Sequence, residues 1–280
     1  MKQFIKDTLR SIIKTLTSSF SSTKVGRLVN EVIIDDVMNR VQEVEHQGLQ
    51  MRFAVPNSLN RFRVETFSTK EPETLEWLDR LPEACTLWDV GANVGLYSIY
   101  AAKKKNFRVI AFEPSVFNLE LLARNLFLNG IHDQVTILPM ALSDGLGSSL
   151  MHMTTTEWGG ARSTFGKEVG WDGKAIRDIF VFQTFGLSMD QAVSLLGLPA
   201  PDFIKMDVDG IEHFILQNGQ KVLSKVQGIL VEINDEFTEQ AGKSKKALED
   251  AGLTFVEKRH SEMFEGGTYS SLYNQIWERK

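Results

Sequence analysis

Leu87-Trp88-Asp89-Val90-Gly91-Ala92-Asn93-Val94-Gly95-Leu96-Tyr97 runs from a short apolar strand through a glycine loop into the first turn of a helix. Glycine at 91 and 95 lets the backbone turn tightly and approach a ligand closely. The helix that follows points its amino end, with its partial positive charge, at the same place. Asp89 stands at the carboxyl edge of the strand, suited to a cationic or ammonium portion of that ligand. The spacing is Gly-x-Asn-x-Gly, not the Gly-x-Gly-x-x-Gly against which the two phosphates of a dinucleotide rest, and the preceding acid repels a pyrophosphate. Taken alone, the loop is weak evidence, since roughly a third of such matches are only tight turns.

The next strand pattern, Arg108–Phe112, ends in Phe112-Glu113-Pro114, at the distance where a nucleotide-binding sheet places its ribose-binding acid. A third strand pattern over 134–140 leads into Ala141-Leu142-Ser143-Asp144, a polar pair positioned to meet an adenine edge. Methionine and ribose fit this series better than two phosphates, so the expected cofactor is S-adenosylmethionine. Further along, Phe203–Met206 and 228–233 read as a fourth and fifth strand. Helical patterns cover 96–105, 116–129, 211–224 and 236–251, and two more strands fall near 254–260 and 273–277. Strands alternating with helices predict a mostly parallel sheet covered on both faces, with at least one of the last two strands antiparallel.

Asp89-Val-Gly-Ala-Asn-Val-Gly95, Phe112-Glu-Pro114, Ala141-Leu-Ser-Asp144 and Ile204-Lys-Met-Asp-Val-Asp-Gly-Ile-Glu212 together resemble the successive motifs of FkbM-type methyltransferases. The resemblance covers about residues 71 to 277. It implies an α/β fold of the class I methyltransferase, Rossmann-like kind: a seven-stranded sheet with its last strand antiparallel. It also implies O-methylation of a hydroxyl on a sugar, glycan or polyketide-like acceptor. By position, Asp89, Gly91, Asn93 and Gly95 would hold the methionine end and ribose, Glu113 the ribose diol, and Ser143 and Asp144 the adenine. A departure stands at position 209, where many relatives have Glu and this chain has Asp.

Asp207 closes the fourth strand, at the switch region where ligands of open sheets gather. Asp207, Asp209, Glu212 and His213 are thereby expected near the methyl group or the acceptor. An alcohol is a poor nucleophile at neutral pH and gains from a general base, for which Asp207, Asp209 and His213 are the candidates. His213 also reads as a plain residue of a solvated helix turn. Glu232 and Asn234 follow the fifth strand and face the same end. The stretch 150–185, rich in Gly, Thr and Ser, reads as a lid or substrate loop. Within it Trp158 is available to stack on a sugar and Arg162 to meet an anion, or the loop is purely structural.

Two other functions remain open on these residues: a metal-dependent glycosyltransferase using Asp207-Val208-Asp209 as a D-x-D, and a non-catalytic S-adenosylmethionine-binding scaffold. His46, His132, His152 and His260 share no metal-ligand spacing, so no metal site is expected.

The 280 residues, 42% hydrophobic and 24% charged, describe an ordinary globular chain, and a formal charge of −5 gives no case for nucleic acid as partner. A single cysteine, Cys85, forms no internal disulfide, and no run approaches the roughly 18 apolar residues that span a bilayer. A cytoplasmic location follows as the expectation. Residues 1–70 read as an extension and 71–280 as the S-adenosylmethionine-binding domain. In residues 1–20, Phe4, Ile5, Leu9, Ile12, Ile13, Leu16 and Phe20 alternate with Lys2, Lys6, Arg10 and Lys14 at helical spacing. That helix either lies peripherally on an anionic membrane or docks on its own domain or a second copy. Ser18–Thr23 reads as a linker, and a second helical pattern extends over 25–45.

Overall fold

The computed structural model describes residues 2–280, with side chains in the first helix described at positions 8, 9 and from 11 onward. The side chains expected to matter at Lys2, Phe4, Ile5, Lys6 and Arg10 therefore lie outside the described residues. Two helices, α1 (Lys2–Ser21) and α2 (Lys24–Met38), precede a hairpin of β1 (Val41–His46) and β2 (Leu49–Ala54). Next come α3 (Ser58–Glu65), α4 (Phe67–Lys70) and α5 (Pro72–Arg80). The alternating part begins with β3 (Thr86–Val90), α6 (Leu96–Lys105), β4 (Arg108–Phe112), α7 (Val116–Asn129) and β5 (Val135–Leu138). An excursion follows through β6 (Ala141–Leu142), β7 (Gly147–Met153), β8 (Thr164–Phe165), β9 (Phe180–Leu187) and α8 (Met189–Ser194). The chain then returns through β10 (Phe203–Met206), α9 (Glu212–Gln217), α10 (Gln220–Leu223), β11 (Gly228–Asn234), α11 (Thr238–Asp250), β12 (Thr254–Arg259) and β13 (Leu272–Glu278).

The principal sheet has seven strands in the order β12-β13-β11-β10-β3-β4-β5, with β13 antiparallel to both its neighbours and the other pairings within β11 to β5 parallel. This is the class I methyltransferase sheet expected from the motifs. Its central strands are buried on both faces, and the two-residue period sorts their side chains. Trp88, Val90, Ile110, Ile204, Met206 and Val231 pack into one core, while Leu87, Val109, Ala111, Phe203 and Leu230 pack into the other. The strand order reverses between β3 and β10, which opens a crevice at their carboxyl ends. Met51, Phe53, Val64 and Phe67 share the second core with the sheet, so residues 41–70 pack directly on the rest.

Several expected elements differ. The helix expected over 25–45 stops at Met38, because the left-handed pair Gln47-Gly48 closes a tight hairpin that draws 41–46 into β1. The linker expected at Ser18–Thr23 is mostly helix, with Thr23 capping α2 through a bond from the Gly26 amide. The expected helix 211–224 breaks at Asn218-Gly219, where a Cβ on Gly219 would meet Met189 Cε at 2.0 Å. The stretch 150–185 is not all loop. Its ends belong to β7 and β9, paired antiparallel in a second sheet ordered β6-β9-β7-β8. Phe180, Val181 and Phe185 of β9 are exposed apolar residues, so no apolar–polar alternation marked the strand.

Candidate functional site

The loop after β3 is held by its own backbone. The amides of Gly91 and Ala92 both donate to the Phe112 carbonyl at 3.0 Å. Gly91, Asn93 and Gly95 all have positive φ, at 79°, 51° and 84°. A Cβ at position 91 would lie 1.9 Å from the Asp207 carbonyl oxygen, and one at 95 would lie 2.4 Å from Leu122 Cδ1. Only glycine therefore satisfies both the torsion and the space. The Asn93 amide donates to Glu113 Oε2 and the Ser115 amide to Oε1, each at 2.8 Å. Loop and second acid thus form one rigid unit. Burial pushes the Glu113 carboxyl up to about 7, against the pull of those amide bonds.

Gly91, Asn93, Glu113 and Ser115 line a cleft of ≈ 530 Å³, within the range of small-molecule sites. Gly95, expected there, does not line it and faces Leu122. Asn93 Oδ1, on the cleft wall, is buried and has no partner. An orphaned acceptor beside a glycine cradle fits a donor-bearing ligand such as the S-adenosylmethionine nucleoside. Asp89 is placed differently from expectation. It lies behind the wall, its Oδ2 accepting from Ser98 Oγ at 2.6 Å and its Oδ1 3.6 Å from Lys205 Nζ.

Ser143 and Asp144 are not brought to this cleft. Met140, Ala141 and Leu142 line it instead. Pairing of β6 with β9, continued by a bond from the Ser143 amide to the Leu187 carbonyl, carries the next residues past the edge. Ser143 and Asp144 line a separate cavity of ≈ 310 Å³, where Asp144 stands 3.5 Å from Lys167 Nζ.

The floor of the cleft is a cluster of charges around Lys205, which the motifs did not single out. Its Nζ lies 3.5 Å from Asp207 Oδ2 and 5.3 Å from the centre of the Tyr97 ring. Burial works against its charge, yet Asp207, Asp89, Glu71 and Glu232 hold the ammonium above its usual pKa. Tyr97 donates its hydroxyl to Glu71 Oε2 at 2.9 Å, and Lys70 pairs with the same carboxylate. Burial opposes that charge also, but Lys70 and Lys205 keep Glu71 well below the usual carboxylate range. Glu232 lacks such compensation: burial and the neighbouring Asp207 and Glu71 charges push it well up. One sequence signal was present, a lysine inside the otherwise apolar strand Phe203-Ile204-Lys205-Met206, since an unpaired charge does not stay buried.

Asp209 lies in the cleft wall at φ 60°, its Oδ2 accepting from the Arg162 amide at 2.6 Å. Burial and the Asp207 charge raise its carboxyl to about 6. Glu212 has a structural post: it accepts from the amides of Val208 at 3.0 Å and Gly210 at 3.1 Å, fixing the turn that carries Asp209. His213 does not reach the cleft. It is 1% exposed, its ring centre 4.0 Å from that of Phe214 and 5.8 Å from that of Phe237, its Nδ1 unpartnered. Burial and the nearby Lys243 lower its pKa to about 4. Adjacency in sequence to Asp207 was misleading because the helix phase turns position 213 toward the core.

The loop over the cleft is fastened from three directions. Asn57 and Asn60 donate to the Trp158 carbonyl at 2.9 and 2.8 Å, and Arg63 grips the Gly159 carbonyl. Asn93 and Asn118 donate to the Gly160 carbonyl at 2.8 and 3.1 Å. Trp158 itself packs beside Ala54, Val94 and Leu121 and does not line the cleft. Arg162 does line it, its guanidinium 4.9 Å above the Tyr269 ring. Asn234 donates to the Trp171 carbonyl at 3.1 Å rather than facing the cleft.

The chain is similar to known methyltransferases. It matches the family described as the Methyltransferase FkbM domain over residues 89–265. The hexuronic acid methyltransferase AglP of Haloferax volcanii is 26% identical over 190 residues, 68% of this chain and 73% of the relative. The methyltransferase sdnD of Sordaria araneosa is 38% identical over 69 residues, 24% of this chain and 27% of the relative. Among solved structures, M. jannaschii TYW2 in complex with AdoMet is similar at 12% identity and a TM-score of 0.44, covering 86% of this chain and 87% of that one. The family match spans well over half the sequence and contains the glycine loop, Glu113, Lys205 and Asp207. The protein is a S-adenosylmethionine-dependent methyltransferase and belongs to the FkbM-domain family.

Proposed function

We propose that this enzyme O-methylates a hydroxyl group of a sugar or glycan. The observation that carries this reading is Asp209, a carboxylate in the cleft wall whose pKa of about 6 suits a general base near neutral pH. It stands beside Asp207, which closes β10 at the switch of strand order. The name of AglP, a hexuronic acid methyltransferase, supports a sugar as acceptor.

In this reading the glycine loop, Asn93 and Glu113 hold the methyl donor, Glu113 accepting from the ribose hydroxyls, and Met140–Leu142 flank the base. The donor supplies a methyl group on a sulfonium, an electrophile that needs alignment with the attacking oxygen. Asp207, facing the Lys205 ammonium, accepts a hydrogen bond from an acceptor hydroxyl and orients it. Asp209 takes the proton from the reacting hydroxyl. Arg162 and Tyr269 offer a flat cationic and aromatic wall to a sugar ring. The metal-binding reading of Asp207-Val208-Asp209 has little to rest on: Asp207 faces a lysine and Asp209 accepts from a main-chain amide. Among the described residues, no group of three His, Cys, Asp or Glu could hold a metal ion.

The test is incubation of the purified protein with isotopically labelled donor and a panel of free, glycosidic and uronic-acid sugars. Base-stable methyl ethers among the products are expected. Base-labile methyl esters, or transfer only to non-sugar acceptors, would overturn the reading.

A further inference from the structure

We propose that residues 2–38 form an arm that rests on an anionic lipid surface. Helices α1 and α2 fold back on each other at Ser22-Thr23. Asn30 Nδ2 donates to Ser21 Oγ at 2.9 Å and Arg27 Nη1 to the Ser22 carbonyl at 2.8 Å. A Cβ on Gly26 would lie 1.8 Å from the Phe20 carbonyl oxygen, so the two helices meet there at backbone distance. Beyond that contact the arm is bare: among the described side chains of residues 8–38, Gly26 is the one buried position. Leu9, Ile12, Leu16 and Phe20 on α1 and Leu28 and Val32 on α2 are exposed by 45 to 70%. They recur at three- and four-residue steps and so form an apolar stripe along each helix. Such a stripe left in water is unfavourable at roughly 25 cal/mol per Å², and a larger partner normally covers it.

Charge decides which partner. Residues 2–38 hold Lys2, Lys6, Arg10, Lys14, Lys24 and Arg27 against Asp7, Glu31, Asp35 and Asp36, a net +2 in a chain whose formal charge is −5, leaving −7 on the rest. The positive charge is concentrated in α1 and the start of α2. Two α1 helices laid together would bring like charges into contact, whereas an anionic bilayer attracts the basic helix. No described helix is long and apolar enough to cross a membrane, so the arm lies in the interface plane with its apolar stripe down. The acidic remainder is repelled by the same surface, which holds the catalytic domain off the lipid while the arm stays on it.

Co-sedimentation of the full chain with vesicles tests this. The protein is expected to pellet with equimolar phosphatidylcholine and phosphatidylglycerol, to stay in solution with phosphatidylcholine alone, and to be released by added salt. Lys6→Gln combined with Lys14→Gln should weaken binding about thirtyfold, at roughly 1 kcal/mol per basic residue near the surface. Ile12→Ser with Leu16→Ser should also release the protein. Both double variants should keep the affinity of the parent for S-adenosylhomocysteine; among the described side chains, Ile12, Lys14 and Leu16 do not line the cleft. Failure to pellet with the anionic vesicles, or equal partition onto both lipids, overturns the proposal. A dimer that Ile12→Ser with Leu16→Ser dissolves, seen by sedimentation velocity without vesicle binding, would assign the stripe to a second copy and overturn it equally.

Discussion

The β3–β4 side of the cleft and the β10–β11 side are held together by different means. On the first, main chain holds main chain: amides of residues 91 and 92 bond a carbonyl of β4, amides of 93 and 115 bond one carboxylate, and glycines admit the close approach. On the second, charge holds charge. Lys205 stands between Asp89 and Asp207, Glu71 takes Tyr97 and Lys70, and Asp209 and Glu232 are left with raised pKa values. A scaffold of amides is rigid, and its titrating member is Glu113, raised to about 7 by burial. A cluster of carboxylates around one ammonium is adjustable, and each member changes the others. The first arrangement suits a ligand that is the same in every turnover, the second the hydroxyl that, on the proposed reading, must lose a proton.

The sharpest break in that contrast is Asp209→Asn. Asparagine keeps the shape and tolerates the left-handed backbone at this position. Turnover should fall about 10²- to 10⁴-fold, the usual contribution of a general base. In the parent, kcat/KM should rise with pH through about 6, because the base acts only once Asp209 has lost its proton. Single-turnover kinetics across that range checks both statements.

Lys205→Met comes next. It removes the one ammonium shared by Asp89 and Asp207 and leaves a buried carboxylate without its cation, at a cost of about 3–5 kcal/mol in stability. Urea denaturation should show the loss. Lys205→Arg, which keeps the charge, should recover part of it.

On the opposite side, Glu113→Ala should lower affinity for S-adenosylhomocysteine about tenfold or more, since the hydrogen bonds proposed to the ribose diol would be lost. The smallest effect belongs to His213→Leu. Replacing a buried ring with an orphaned nitrogen by an apolar side chain should leave turnover unchanged and stability within about 1 kcal/mol. A large drop in turnover would restore His213 as a catalytic candidate.

The same contrast explains what could be read from the sequence. Strands such as Val109–Phe112 and Ile229–Val231 stand out as apolar runs because both faces of the sheet are covered, and the motif loop is contiguous, so its geometry is written in neighbouring letters. The Lys205 cluster draws on residues 70, 71, 89, 97, 205, 207 and 232, and nothing local joins them. The pairing of β3 with β10 sets Lys205 beside Asp89, and that pairing is a tertiary fact. The second sheet escaped notice for another reason: β9 is fully buried only at Gly186 and Leu187, and its exposed positions include Phe180, Val181 and Phe185, so its apolar letters do not mark a buried face. Ser143 and Asp144 were assigned to the cleft because they follow the third strand, but the pairing of β6 with β9 directs them elsewhere.

The most direct test of the division is calorimetry of S-adenosylhomocysteine binding to Glu113→Ala and Asp209→Asn, measured beside the parent. The account predicts that Glu113→Ala loses about tenfold or more in affinity, while Asp209→Asn binds like the parent despite its loss of turnover. Donor-product binding that fails with Asp209→Asn and survives Glu113→Ala would contradict it.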